Sequence, residues 1–325
     1  MLRSVLSPSP HDPMKPIQVV LKMVHGAVQI VNTPRIKTAA QLRDFRPVQC
    51  RDGRMLHHST LAEGPDGQVW WLFEFDKALI DAASMTILLQ EVAAISDSRS
   101  CLLDAAPCYS QYASFVHNLP QDAELAFWEQ TLRGTPPCLL PKSPHPGLPS
   151  RSATPRVHTV IKQITSSGML TALCRASGLT ATNVFQTIWG LVLARSTGSM
   201  DVCFGTLKSC HDAAVPGILE MKVIKTTRDI SGRLFNTCLT VQPAMITATD
   251  SQNVHFELLE THDLTEYNVV AAVILFPSYY ELHIRYWDDF CSEPEALQLL
   301  HEFCDTATEV ARVLEAMSKQ ENESH

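Results

Sequence analysis

Along the first part of the chain, short apolar runs are cut by turn residues, the pattern of β-strands. The runs are Ile17 to Met23, Ala27 to Val31, Arg54 to Leu61 and Val69 to Phe75, punctuated by Gly26, Gly53 and the Gly64 to Gly67 stretch. The period then changes. Met85, Leu88, Leu89, Val92 and Ile95 fall three and four apart, which predicts an amphipathic helix beginning just after Asp81, with Asp81 or Ser84 as its cap. A second helix is expected over Asp122 to Leu132, with Leu125, Phe127, Trp128 and Leu132 turned inward.

A proline-rich stretch follows, with six prolines between Pro136 and Pro149 and another at Pro155. It reads as a linker over 138–156, separating a lobe of 1–137 from one of 157–325. Beyond it the pattern restarts. Strands are expected at Arg156 to Ile164, Val202 to Ser209, Leu234 to Gln242, Val254 to Glu260, Asn268 to Phe276 and Tyr279 to Trp287. Helices are expected at Ser166 to Ser177, at Asn183 to Thr197 and at Glu293 to Met317. The last would bury Leu297, Leu300, Phe303, Ala307, Val310 and Val313. Two α/β lobes joined by a bridge is the architecture these patterns imply.

Composition narrows the function. In 325 residues, 45% are hydrophobic and 18% charged, a globular balance. A net charge of −8, with no long Lys/Arg block, argues against nucleic acid or an anionic membrane as partner. No apolar run reaches the length of a membrane span, and the opening "MLRSVLSPSPHDPM" lacks signal-peptide form. The ten cysteines are scattered without any CxxC, so they read as reduced thiols. A cytoplasmic protein without metal or covalently bound cofactor is expected.

Candidate chemistry is sparse. No GxSxG, Walker loop, GxGxxG or HExxH occurs. His57 and His58 are adjacent on a strand, so they point to opposite faces and cannot share one metal ion. They read as one exposed and one half-buried histidine. Trp128 and Trp189 lie on apolar helix faces and read as packing residues. What stands out is the strand-to-helix junction "WLFEFDKALIDAASMTILLQEVAAI", Trp71 to Ile95, which carries Asp76, Lys77 and Asp81. Alternation puts Lys77 on the face of Phe73 and Phe75, where a charge needs a partner. Asp81 is the nearest one. A local ion pair that stabilises the turn and a catalytic Lys77 are both open readings.

This junction resembles a motif of the condensation domains of nonribosomal peptide synthetases, particularly fungal ones. There a strand ends in His-His-x-x-x-Asp-Gly before a helix; here the same positions read "DKALIDAAS", Asp76 to Ser84. Five further stretches resemble the family in the same order. They are "YSQYASFVHNLPQDAELAFWEQTLRGTPPCLLP", "SGLTATNVFQTIWGLVLARSTGSMDVCFGTLKSCHD", "SGRLFNTCLTVQ", "HDLTEYNVVAAVIL" and "LHIRYWDDFCSEPEALQLL". The resemblance implies two chloramphenicol-acetyltransferase-like lobes forming a V with a tunnel between them. It implies acyl transfer from a thioester on the phosphopantetheine arm of a carrier protein, or synthetase module, to an amine or hydroxyl. The small-molecule acyl donor and acceptor would meet at the motif's second histidine. The motif's aspartate would be structural, paired with the arginine of a Ser-Gly-Arg-Asp sequence.

The departures from that pattern fall on its chemistry. Asp76 stands for the first histidine, Lys77 for the catalytic one, and Ala82 for the glycine. Cys210 and His211 replace the glycine and arginine of Ser-Gly-Arg-Asp. The first lobe starts late. In the second, a family segment with Gly-x-Phe-(Ile/Val)-Asn is missing near 220–230, where only "MKVIKTTRDI" stands. Both lobes are therefore expected to be incomplete. Lysine, with a reference pKa of ~10.4, is an ammonium where a histidine of ~6.5 can take a proton. Lys77 could hold an oxyanion, or replace the lost arginine as partner of Asp81. The expected protein is a shortened, impaired condensation-domain-like acyltransferase. A non-catalytic carrier- or ligand-binding accessory protein is the alternative. A coenzyme-A-dependent acyltransferase ranks lower, because its Asp-Phe-Gly-Trp-Gly motif is absent.

Overall fold

The computed structural model describes residues 4–10, 16–22, 28–31, 55–64, 67–76, 79–80, 82–98, 114, 118, 121–141, 143, 155–207, 233–244, 251, 253–257 and 265–323. The chain divides into two compact units. One holds Met1–Leu103 together with Met245–Thr261, and the other holds Asp104–Ala244 with His262–His325. The first unit thus takes back a segment from the second half of the sequence. Phe256 from that segment packs against the first unit's core, and Ser251 and Asn253 bond Asp97 at 2.7 and 3.0 Å.

In the first unit, β1 (Ser4–Pro8) and β2 (Pro16–Val20) form an antiparallel pair. A three-stranded sheet has the order β3 (Val28–Val31), β4 (His57–Glu63), β5 (Val69–Phe75), with β3 parallel to β4 and β4 antiparallel to β5. Helix α1 (Ala82–Ser96) places Met85, Leu88 and Leu89 in one core with Leu56, Phe73 and Phe75. The strand β1 lies in a stretch where no strand is expected from sequence.

The second unit contains α2 (Gln121–Leu132) and centres on a five-stranded sheet ordered β6 (Val157–Ile164), β10 (Tyr280–Trp287), β9 (Val269–Leu275), β8 (Thr237–Pro243), β7 (Gly205–Leu207). The ladder is antiparallel from β6 to β9 and parallel from β9 to β7. β9, "VVAAVIL", is central and buried on both faces, which is why its sequence is a continuous apolar run. One sheet face carries α3 (Ser167–Ser177), α4 (Ala181–Thr197) and α5 (Glu293–Glu323).

Local signals explain the helix ends. Thr180 accepts the Asn183 N–H to start α4, and Gly198 closes it at φ 69°. At the start of α5, Glu295 reaches back to Ser292, accepting from its N–H and hydroxyl at 2.9 and 2.6 Å. Trp189 is fully buried beside Phe303, and its indole N–H meets no acceptor, so packing decides its place.

Some expected burial is absent. Phe127 and Trp128 are 60% and 37% exposed and pack edge-to-face on each other. On α5 the buried stripe is Ala296, Leu300, Phe303 and Ala307, which leaves Leu297 and Val313 at its margins and exposed. Val254 to Glu257 form no strand, and the rest of that expected strand lies outside the described residues.

The opening of the proline-rich stretch is stitched into the second unit. Cys138 donates its N–H to Leu234 and Ser143 donates to Phe290. Between them, the buried Asn236 side chain accepts from the Leu140 N–H and donates to the Leu140 carbonyl, each at 2.9 Å. An amide alone can do both. Asn236→Asp keeps the shape, loses the donor and buries a charge, so it should cost at least about 1–3 kcal/mol in urea unfolding. Equal stability would show that the clamp contributes nothing.

Candidate functional site

The junction after β5 is built from a strand that runs into a buried turn. Trp71, Phe73 and Phe75 stack along one face at 5.3 and 5.5 Å, and the last two enter the core with α1. Beyond Phe75, the Asp76 N–H donates to the Leu56 carbonyl at 2.8 Å, and the Asp76 carbonyl accepts from the Leu79 N–H at 2.9 Å. Leu79 and Ile80 are then buried at 5% and 4% exposure, immediately before α1. Both ends of the motif stretch are therefore fixed to the core. Asp76 itself is half-buried at the strand's end. Lys77, Asp81 and His211 lie outside the described residues.

The opposite face of the same strands holds a polar pair that sequence reasoning passed over. His58 and Glu74 are directly opposed in the β4–β5 register. Nδ1 of His58 is 3.7 Å from Oε2 of Glu74, too long for a hydrogen bond, and 3.3 Å from the Thr60 hydroxyl. The Glu74 Oε2 atom is buried without a hydrogen-bond partner. Burial raises this carboxyl above its ordinary 4.5, while the charge of His58 pulls the other way. His57 is buried instead, 5.8 Å from the Phe73 ring. The two histidines do face opposite ways, but the division is buried and half-buried rather than half-buried and exposed. The missed signal was the pairing of polar residues across two adjacent strands, visible only once their register is known.

In the second unit, β7 is the strand that leads toward position 211. Gly205 begins it because Tyr267 leans across: a Cβ there would sit 2.8 Å from the Tyr267 hydroxyl. Burial, with Cys238 and Glu266 nearby, pushes that phenol up to about 12. The Cys203 thiol is pushed up to about 11 by burial and the nearby Cys138, and Cys238 and Cys291 up to about 12 by burial first. None of these thiols is a ready nucleophile at neutral pH. Among the described residues no His/Cys/Asp/Glu cluster could hold a metal ion, and no helix is long and apolar enough to cross a membrane.

Comparison with known proteins gives a consistent picture. The model of the family described as Condensation domain matches residues 10–219. The nonribosomal peptide synthetase dtpA of Aspergillus flavus is 28% identical over an alignment of 355 residues, covering 93% of this chain and 13% of that protein. The chain thus spans about an eighth of that relative's length. Among solved structures, the condensation domain of the Monacolin K polyketide synthase MokA superposes with a TM-score of 0.69 at 14% identity, covering 96% of this chain and 85% of that one. The X-domain in its complex with OxyB from teicoplanin biosynthesis gives 0.65 at 16% identity, covering 96% and 82%. The fold is the chloramphenicol-acetyltransferase-like fold of condensation domains.

The Glu74 carboxyl carries a sign that can be tested. Its folded pKa is raised, so its contribution to stability is present below the ordinary carboxyl value of 4.5 and lost as pH rises through the folded value. At neutral pH the ionised group is a liability. Glu74→Gln should therefore raise the melting temperature at pH 7, and the gain should shrink as pH falls through the folded value and be gone below 4.5. A lower melting temperature at pH 7 would show that the His58 attraction outweighs burial.

Proposed function

Because the chain belongs to the condensation-domain family, we propose that it engages acyl groups carried as thioesters on the phosphopantetheine arm of a carrier protein, in nonribosomal-peptide-type secondary metabolism. The observation that carries this reading is the family match over residues 10–219 together with the retained strand, buried turn and helix around the motif. By family, the reaction joins an acyl thioester to an amine or hydroxyl.

In this chain that reaction is impaired at the motif. Lys77 occupies the position of the catalytic histidine. Lowering a lysine from ~10.4 to about 7 requires roughly 4–5 kcal/mol of differential destabilisation, and Asp81 four positions on opposes it. Lys77 instead supplies the positive charge that Asp81 loses when the family's arginine becomes His211. On this reading Asp76, Lys77, Asp81 and His211 preserve a site that has given up its base. The alignment with dtpA runs over 355 residues, more than the 325 of this chain, so the relative carries extra residues within the matched stretch. That supports a shortened domain.

A second reading is a non-catalytic accessory protein that binds a carrier or ligand without turnover. The lysine at the motif favours it, and the same fold serves in an X-domain solved in complex with OxyB.

Two variants test the site. Lys77→Met leaves Asp81 without its charge partner and should destabilise the chain by more than about 1 kcal/mol in chemical unfolding; a neutral result removes the ion-pair role. Lys77→His should raise aminolysis of an acyl-pantetheine thioester over the wild type. Binding of that thioester without gain in turnover favours the accessory reading, and absence of both binding and turnover overturns the acyl-group assignment.

A further inference from the structure

The strand β10 divides its side chains sharply. Leu282, Ile284 and Tyr286 enter the core under the helices, so Glu281, His283 and Arg285 turn to the opposite sheet face. Burial changes steeply across that face. Ala272 of β9, opposite His283, is fully buried, whereas Ile161 of the edge strand β6, on its other side, is 57% exposed. His283 stands on the step between them, with 20% of its side chain exposed and 27% of that of Glu281. Its Nε2 lies 3.1 Å from Oε2 of Glu281. An ionised carboxylate can only accept, so the ring proton resides on Nε2 and Nδ1 is left as the basic nitrogen.

Two other histidine–carboxylate pairs occur among the described residues. His58 stands 3.7 Å from Glu74, beyond hydrogen-bond reach. Nε2 of His158 lies 3.3 Å from Oδ2 of Asp288, whose Oδ1 accepts the Arg156 N–H, but that ring is half exposed, so the His283 pair is both shorter and more buried. Among the described residues, Ala272 and Ile161 flank His283 on the adjacent strands, and Glu281 and Arg285 lie two positions away on its own strand.

We propose that His283, oriented by Glu281, is a general base on this face of the second unit. It would accept through Nδ1 the proton of an amine or hydroxyl nucleophile as that nucleophile attacks an acyl thioester. The new C–N or C–O bond forms, the C–S bond breaks, and the proton passes from the imidazole to the departing thiolate, so the step needs no further reactant. The inference rests on the acyl-group reading above. Glu281 is a positioning residue that acts through the ring.

The test uses the full chain with an acyl-pantetheine thioester and a simple alkyl amine. His283→Gln should lower kcat by roughly 10²-fold with KM unchanged, the scale of a lost general base. Glu281→Gln should lower kcat less, and nitrogen NMR of the ring should show the Nε2-protonated form in the wild type giving way to a mixture of tautomers. An unchanged kcat in His283→Gln, or a wild-type proton on Nδ1, overturns the proposal. Thioester binding without wild-type turnover overturns it alone, while absence of binding as well overturns the acyl-group reading with it.

Discussion

The turn after β5 is where the first unit commits its chain, and the site inherits its geometry from that commitment. Two backbone hydrogen bonds close it, from the Asp76 N–H to Leu56 and from the Leu79 N–H to Asp76. Two adjacent apolar side chains, Leu79 and Ile80, are then driven into the core with Leu56, Met85 and Leu89. Burying two such side chains is worth about 3–6 kcal/mol as area removed from water, an upper bound because the unfolded chain hides some of it. The turn is therefore held by packing as well as by hydrogen bonds.

The family reaction needs a group that is neutral before attack and charged after it, and histidine meets that condition near neutral pH. A lysine, with a reference pKa of ~10.4, does not. The thiols at Cys203, Cys238 and Cys291 are held on the neutral side by burial, and Tyr267 likewise, so none of them offers a base near neutral pH. Burial works against every replacement except a group that a partner keeps oriented while solvent keeps it accessible. Among the described residues, the half-buried His283 hydrogen-bonded to Glu281 meets that condition.

Periodicity located most elements because here it reflects burial directly. β5 is found at its expected bounds, and β9 reads as a continuous apolar run because it is central and covered on both faces. The same signal failed on α2, where Phe127 and Trp128 are apolar but have no core to enter. Polarity along one segment cannot say which other segment covers it. For the same reason the return of 245–261 to the first unit was not legible, since Phe256 finds its core through a contact far away in sequence. The site positions 76, 77, 81 and 211 rest on resemblance, and only Asp76 lies among the described residues. The pairing of His58 with Glu74 and of His283 with Glu281 was not legible, because cross-strand register and the face a strand turns to its helices appear only in three dimensions.

The proposed shortening of the second unit is compatible with its stability for a reason visible in the ladder. A sheet suffers most when a central strand is lost, since both neighbours then lose their hydrogen-bond partners. Here β9 keeps β10 on one side and β8 on the other in full register, and all three lie outside the stretch near 220–230. The residues leading into β8 are secured independently: Phe235 bridges Cys138, Asn236 clamps Leu140, and the Asn236 carbonyl accepts from Asn268 and Val269. The clamp ties the start of β8 to the proline-rich stretch on one side and to β9 on the other. A chain fixed at that point does not depend on the residues just before it to find its register, so sequence there can be lost while the sheet closes as before.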